Sequence, residues 1–146
     1  MSISRKLLCT AYALIGLIAL AGTWSNNIQY FNLGVIGANL MFWQETFVNP
    51  ASRSITVDIL FLALAAILWM LLEARRLSMR GVWLWIVFGV FIAMASAFPW
   101  FLIHREMVLA KQDGTTIAGT LSAADLLGVV LISAPVLVYA MFAIGA

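Results

Sequence analysis

The chain has 146 residues, of which 64% are hydrophobic and 10% charged, with a formal net charge of +2. Soluble domains hold about 45–50% apolar and about 25% charged residues, so only lipid can solvate this much apolar surface in so short a chain. The eight basic residues are scattered and form no electrostatic stripe for nucleic acid. Cys9 stands alone, which excludes an intrachain disulfide and a paired-thiol redox motif.

In chain order, the first apolar run is Leu7 to Trp24, preceded by Arg5 and Lys6. It is longer than the usual core of a cleavable signal and ends in an interfacial tryptophan, so it is expected to be retained as a helix. The segment from about residue 30 to 48 is apolar and aromatic but interrupted by Asn32, Asn39, Gln44 and Glu45. This pattern predicts a non-spanning amphipathic helix, lying in the interface or re-entrant, between the first two spans. Asn49-Pro50 marks a turn, after which Ser54 or Thr56 is expected to cap the next helix.

Further spans are predicted at about 55–72, 82–103 and 126–146, each close to the ~20 residues needed to cross a ~30 Å hydrocarbon core. The expectation is therefore a single all-α integral membrane domain over residues 1–146, with four transmembrane helices and one interfacial or re-entrant segment. In the third span Gly89, Ala93 and Ala97 recur every four residues, which on a straight helix makes a seam for another helix. Lysine and arginine in short loops are retained in the cytoplasm. With both termini inside, Arg5, Lys6, Arg75, Arg76 and Arg80 lie inside and Arg53, Arg105 and Lys111 outside.

Polar groups then gather at the outer ends of the helices: Glu45, Asn49, Arg53, Asp58, His104, Arg105, Glu106 and Asp125. Carboxylates in membranes are costly and need partners, so Asp58 is expected within reach of Arg53 or Arg105. Asp58 and Glu106 are the candidate acid/base residues, and Glu45, Asn49, Arg53, Asp58 and Arg105 the candidate ligand-binding set. The same groups also suit a structural ion-pair network that fixes helix ends. Glu73, Arg75, Arg76 and Arg80 form a second polar group, read as a topology determinant. One histidine and one distant cysteine supply no haem pair or zinc quartet, so no metal and no cofactor is expected. No phosphate loop and no nucleophile elbow is present.

Tyr30-Phe31, Phe42-Trp43, Asn49-Pro50-Ala51-Ser52-Arg53-Ser54, Asp58, Trp69 with Glu73-Ala74-Arg75-Arg76, and Ala97-Phe98-Pro99 followed by Arg105-Glu106 resemble a family of small bacterial and cyanobacterial membrane proteins catalogued as a domain of unknown function. The similarity covers about Asn26 to Ala110. It implies a multi-helix domain in a bacterial inner membrane and supplies no activity. Three functional classes follow in order. The first is a noncatalytic accessory subunit of a membrane complex, or a binder of a lipid, isoprenoid or pigment, with membrane lipid, another membrane protein or further copies of itself as its partners. The second is an isomerase or cyclase acting on a lipid or isoprenoid. The third is a transporter or channel component.

Overall fold

The computed structural model describes residues 3–112 and 122–144, and all of its regular elements are helices. Helix α1 spans Ile3–Asn27 and passes into a 3-10 segment, Ile28–Leu33; α2 is Gly34–Glu45 and α3 is Pro50–Arg76. Helix α4, Val82–Phe88, leads through a π turn, Gly89–Ala93, into α5, Met94–Gln112, and α6 is Ala123–Ile144. Among the described residues, four helical stretches are long and apolar enough to cross a membrane: Ser4–Glu45, Pro50–Arg76, Val82–Gln112 and Ala123–Ile144.

The first and third of these stretches are folded back on themselves. Gly34 adopts φ +70°, a conformation that favours glycine, and there the chain turns so that α2 lies back along the 3-10 segment. Tyr30 and Phe42 consequently meet ring to ring at 6.2 Å, and the Tyr30 hydroxyl donates to Glu45 Oε2. At 12 residues α2 is about 18 Å long, shorter than a hydrocarbon core is thick.

The third stretch reverses at its π turn. Trp85 Nε1 lies 3.2 Å from His104 Nδ1, 19 residues later, whereas a straight helix would hold their Cα atoms about 28 Å apart. A Cβ on Gly89 would fall 3.2 Å from that of Ala97. The small residues expected to form a seam toward another helix thus let α4 and α5 approach each other. Lipid offers no partner for backbone groups freed at such a bend. Here Trp24 supplies one, its indole N–H donating to Ile92 O at 3.2 Å.

This reversal sets the direction of every helix. Helix α5 runs antiparallel to α1, from Ile92 beside Trp24 to Glu106 beside Arg5. It runs parallel to α3, with Trp69 against Phe98 and Phe101 and with Gln112 Nε2 donating to Leu77 O at 3.2 Å. Helix α6 ends at the far end of α1, where Asn26 Nδ2 donates to Ala143 O at 3.2 Å. Ile3 and Ile144 thus lie at opposite ends of α1. The buried core is a small cluster of Met70, Ala74, Val82, Ile86 and Phe101, which joins the end of α3 to the hairpin.

Local sequence accounts for the helix ends. The Asn49 side chain accepts from Ser52 N at 2.8 Å and Pro50 opens α3 with its fixed φ. Asn49 is thus the cap, and the expected caps Ser54 and Thr56 lie inside the helix. Arg75 and Arg76 complement the dipole at the other end of α3. Ser122 and Asp125 form a capping box at the start of α6, with Ser122 N donating to Asp125 Oδ2 at 2.8 Å.

Candidate functional site

The charged residues predicted to gather at one end of the bundle do not. Arg105 and Glu106 stand at the N-terminal end of α1, because α5 returns there. Glu45 pairs with Tyr30, Asn49 caps α3, and Arg53 Nη1 donates to Phe47 O at 2.8 Å, all at the opposite end. Asp58 is exposed and makes no hydrogen bond or ion pair among the described residues, so its expected arginine partner is absent. Neither Arg53 nor Arg105 reaches it: one is spent on a loop carbonyl and the other lies at the far end of α3.

A different constellation replaces that cluster. Glu106 Oε2 accepts from Arg5 Nε at 3.1 Å and Glu106 Oε1 from Arg105 Nη1 at 2.6 Å. Arg105 Nε then donates to Glu73 Oε1 at 2.6 Å, and Arg76 grips Glu73 with two bonds of 2.7 and 2.6 Å. The guanidinium carbon of Arg105 also sits 6.0 Å from the centroid of Trp69. The result is a ladder of alternating charge linking α1, α3 and α5. Arg5 is 1% exposed, Glu106 5% and Glu73 7%, so these members are buried and need their partners, while the ladder reaches the surface at Arg76, whose side chain is 60% exposed. Of the ladder, sequence reading offered Arg105 and Glu106 as site residues and placed Arg5, Glu73 and Arg76 among topology determinants. The available signals for the rest were the Glu73/Arg76 spacing of three and the rarity of carboxylates in so apolar a chain.

Beside the ladder, α4 and α5 flank an open cavity of about 610 Å³. Leu84, Trp85, Phe88, Trp100, Ile103 and Met107 give it apolar walls, and Arg80 and His104 are its ionisable lining residues. Because His104 Nδ1 accepts from Trp85, the imidazole proton is assigned to Nε2, which is then a donor. Arg80 is exposed and makes no hydrogen bond or ion pair among the described residues. The cavity therefore combines apolar walls with two hydrogen-bond donors. Sequence reading placed His104 among the polar groups at the outer helix ends, since nothing in the run from 82 to 104 announces that its ends meet. Among the described residues no group of three or more His, Cys, Asp or Glu side chains is placed to hold a metal ion.

Fold and charge arrangement together define a small all-helical membrane protein whose two ends differ in chemistry. One end is closed by a buried arginine–glutamate ladder, and the other is covered by a short aromatic helix. The chain belongs to the family described as protein of unknown function DUF2834, whose model matches residues 11–107. The match takes in α2, the hairpin and most of the ladder, and leaves Arg5 and α6 outside it. No curated protein and no solved structure matches the chain.

Proposed function

We propose that the protein binds an anionic amphiphile, a lipid or isoprenoid with a negatively charged head, in the cavity between α4 and α5. The observation that carries this reading is an apolar hollow of about 610 Å³ with Arg80 and His104 in its lining. Its size falls in the ordinary range of ligand pockets, and its few polar groups are of the kind that orient a ligand. Tail burial alone gives little selectivity in a bilayer, because lipid tails are as apolar as the cavity wall. Selectivity then rests on the head group, and two donors favour an anion. Arg80 belongs to a set of seven basic residues at this end: Arg5, Lys6, Arg75, Arg76, Arg80, Arg105 and Lys111. Positive residues of this density are retained on the cytoplasmic side, so this reading places the cavity mouth in the cytoplasmic leaflet of a bacterial inner membrane.

The enzymatic alternative draws less support from the geometry. Both Glu106 oxygens are taken by arginines, an arrangement that holds a charge in place and does not ready it for proton transfer. The test is native mass spectrometry of the protein extracted in mild detergent, with and without Arg80→Gln. The expected result is one retained anionic lipid per chain, depleted in the variant. Retention of neutral and anionic lipids alike would overturn the proposal, and retention of a protein in place of lipid would favour an accessory subunit.

A further inference from the structure

At the opposite end of the bundle a second cavity, of about 520 Å³, lies between the hairpin tip, the end of α1 and α2. Six aromatic residues line it: Trp24, Tyr30, Phe31, Phe42, Trp43 and Phe91. Aromatic residues of an interfacial belt meet lipid one by one, whereas these converge on a single hollow. Five of the six are joined by ring contacts, and Phe91 stands exposed at the rim. Trp24 is held by its bond to Ile92 O, and the pairs Trp24–Phe31, Tyr30–Phe42 and Phe42–Trp43 pack edge to face at 5.8, 6.2 and 5.5 Å.

The electrostatics of this cage have one sign. No lysine or arginine lines it. Aromatic faces carry negative partial charge, and Tyr30, in the lining, donates its hydroxyl to the carboxylate of Glu45, which stands just outside the lining. Asn39, also in the lining, spends its amide nitrogen on Val35 O at 2.9 Å, which leaves its oxygen as an acceptor. A hydrated metal ion would require several oxygen ligands, which these walls do not offer.

We propose that this cavity binds an organic cation carrying a methylated ammonium group, with Trp24, Phe42 and Trp43 as its aromatic walls and Glu45 as its counter-charge. A choline-type lipid head and a free quaternary ammonium solute present the same chemistry. The site is independent of the anion-binding cavity at the other end.

The test titrates the full chain, in a maltoside detergent at fixed ionic strength, with tetramethylammonium chloride, followed by tryptophan fluorescence and calorimetry. Neopentyl alcohol, a neutral group of similar shape, is the control. Saturable binding of the cation alone is expected, weakened about tenfold by Trp43→Leu and by Glu45→Gln. Phe91→Leu serves as a third variant, and circular dichroism establishes that each one is folded. Absence of saturable binding, an equal response to the neutral compound, or affinity unchanged in all folded variants would overturn the proposal. Nanodiscs separate the two sources. Loss of tetramethylammonium binding in phosphatidylcholine but not in phosphatidylglycerol identifies a lipid head as the occupant, and equal binding in both identifies a free solute.

Discussion

Removing Arg5 tests the ladder at its most buried member. The Arg5 side chain is 1% exposed and its Glu106 partner 6%, so neither charge is screened by water as a surface pair would be. Taking away one member of a buried ion pair costs about 3–5 kcal/mol. For Arg5→Met the lower figure of about 3 kcal/mol applies, since Arg105 still holds the other Glu106 oxygen at 2.6 Å. That corresponds to a rise of roughly a hundredfold in the unfolded fraction, at about 1.4 kcal/mol per decade. Glu106→Met breaks two contacts and should cost about 4 kcal/mol. In the double variant an apolar pair replaces the charged one, and the total should fall about 2 kcal/mol short of the sum. The assay is equilibrium unfolding in mixed micelles of rising dodecyl sulfate fraction, followed by near-UV circular dichroism. Single-variant costs below about 1 kcal/mol that simply add would refute the reasoning, because they would mean that the pair is solvated and α1 is not docked through it.

In a chain carrying Cys9→Ala, single cysteines at Lys6 and Lys111 should react with an impermeant maleimide from the same side, and one at Asn49 from the other. Labelling of Lys111→Cys together with Asn49→Cys would show that the stretch from 82 to 112 crosses without turning. A Cβ added at Gly89 would fall 2.8 Å from Met94 Cε and 3.2 Å from Ala97 Cβ, so Gly89→Val should destabilise by about 1–3 kcal/mol in the same unfolding assay. Ala97→Gly should recover part of the loss of Gly89→Ala, whereas on a straight helix the two positions would be about 12 Å apart and their effects additive. Asn49→Ala removes the α3 cap and should cost about 1 kcal/mol, with Asn49→Asp close to neutral.

The apolar stretches were legible in the sequence because lipid imposes length and composition on any helix that crosses it. The segment before Asn49 was legible as an element distinct from the first long helix through its interrupting polar residues, and it forms the short helix Gly34–Glu45. The reversal at Gly89–Ala93 was not. An apolar run has the same composition whether it crosses once or folds back, and this bend is braced from another helix, by the Trp24 indole on Ile92 O. The turn therefore carries no Asn-Gly or Pro-Gly signal of its own. That single hidden feature moved Arg105 and Glu106 to the other end of the bundle and left Asp58 without the arginine assigned to it. The pairing of Arg5 with Glu106, 101 residues apart, was equally out of reach of local spacing rules.

The reversal also changes the argument about orientation. With a straight third helix the lysines and arginines divide five to three between the two ends, a modest bias. With the hairpin, Arg105 and Lys111 join Arg5, Lys6, Arg75, Arg76 and Arg80, and Arg53 alone remains opposite. A seven-to-one division is a far stronger positive-inside signal for the N-terminal end of α1. So much positive charge at one end of a small bundle carries its own cost, since guanidinium groups drawn into the low-dielectric edge of a bilayer need counter-charges. Glu73 and Glu106 supply them from α3 and α5, and the turn at Gly89–Ala93 is what carries Glu106 to Arg5 and Arg105 to Glu73. The hairpin, the ladder and the charge asymmetry are thus coupled: a substitution that straightened the hairpin would take Glu106 from Arg5, leave Glu73 with Arg76 alone and weaken the orientation signal together.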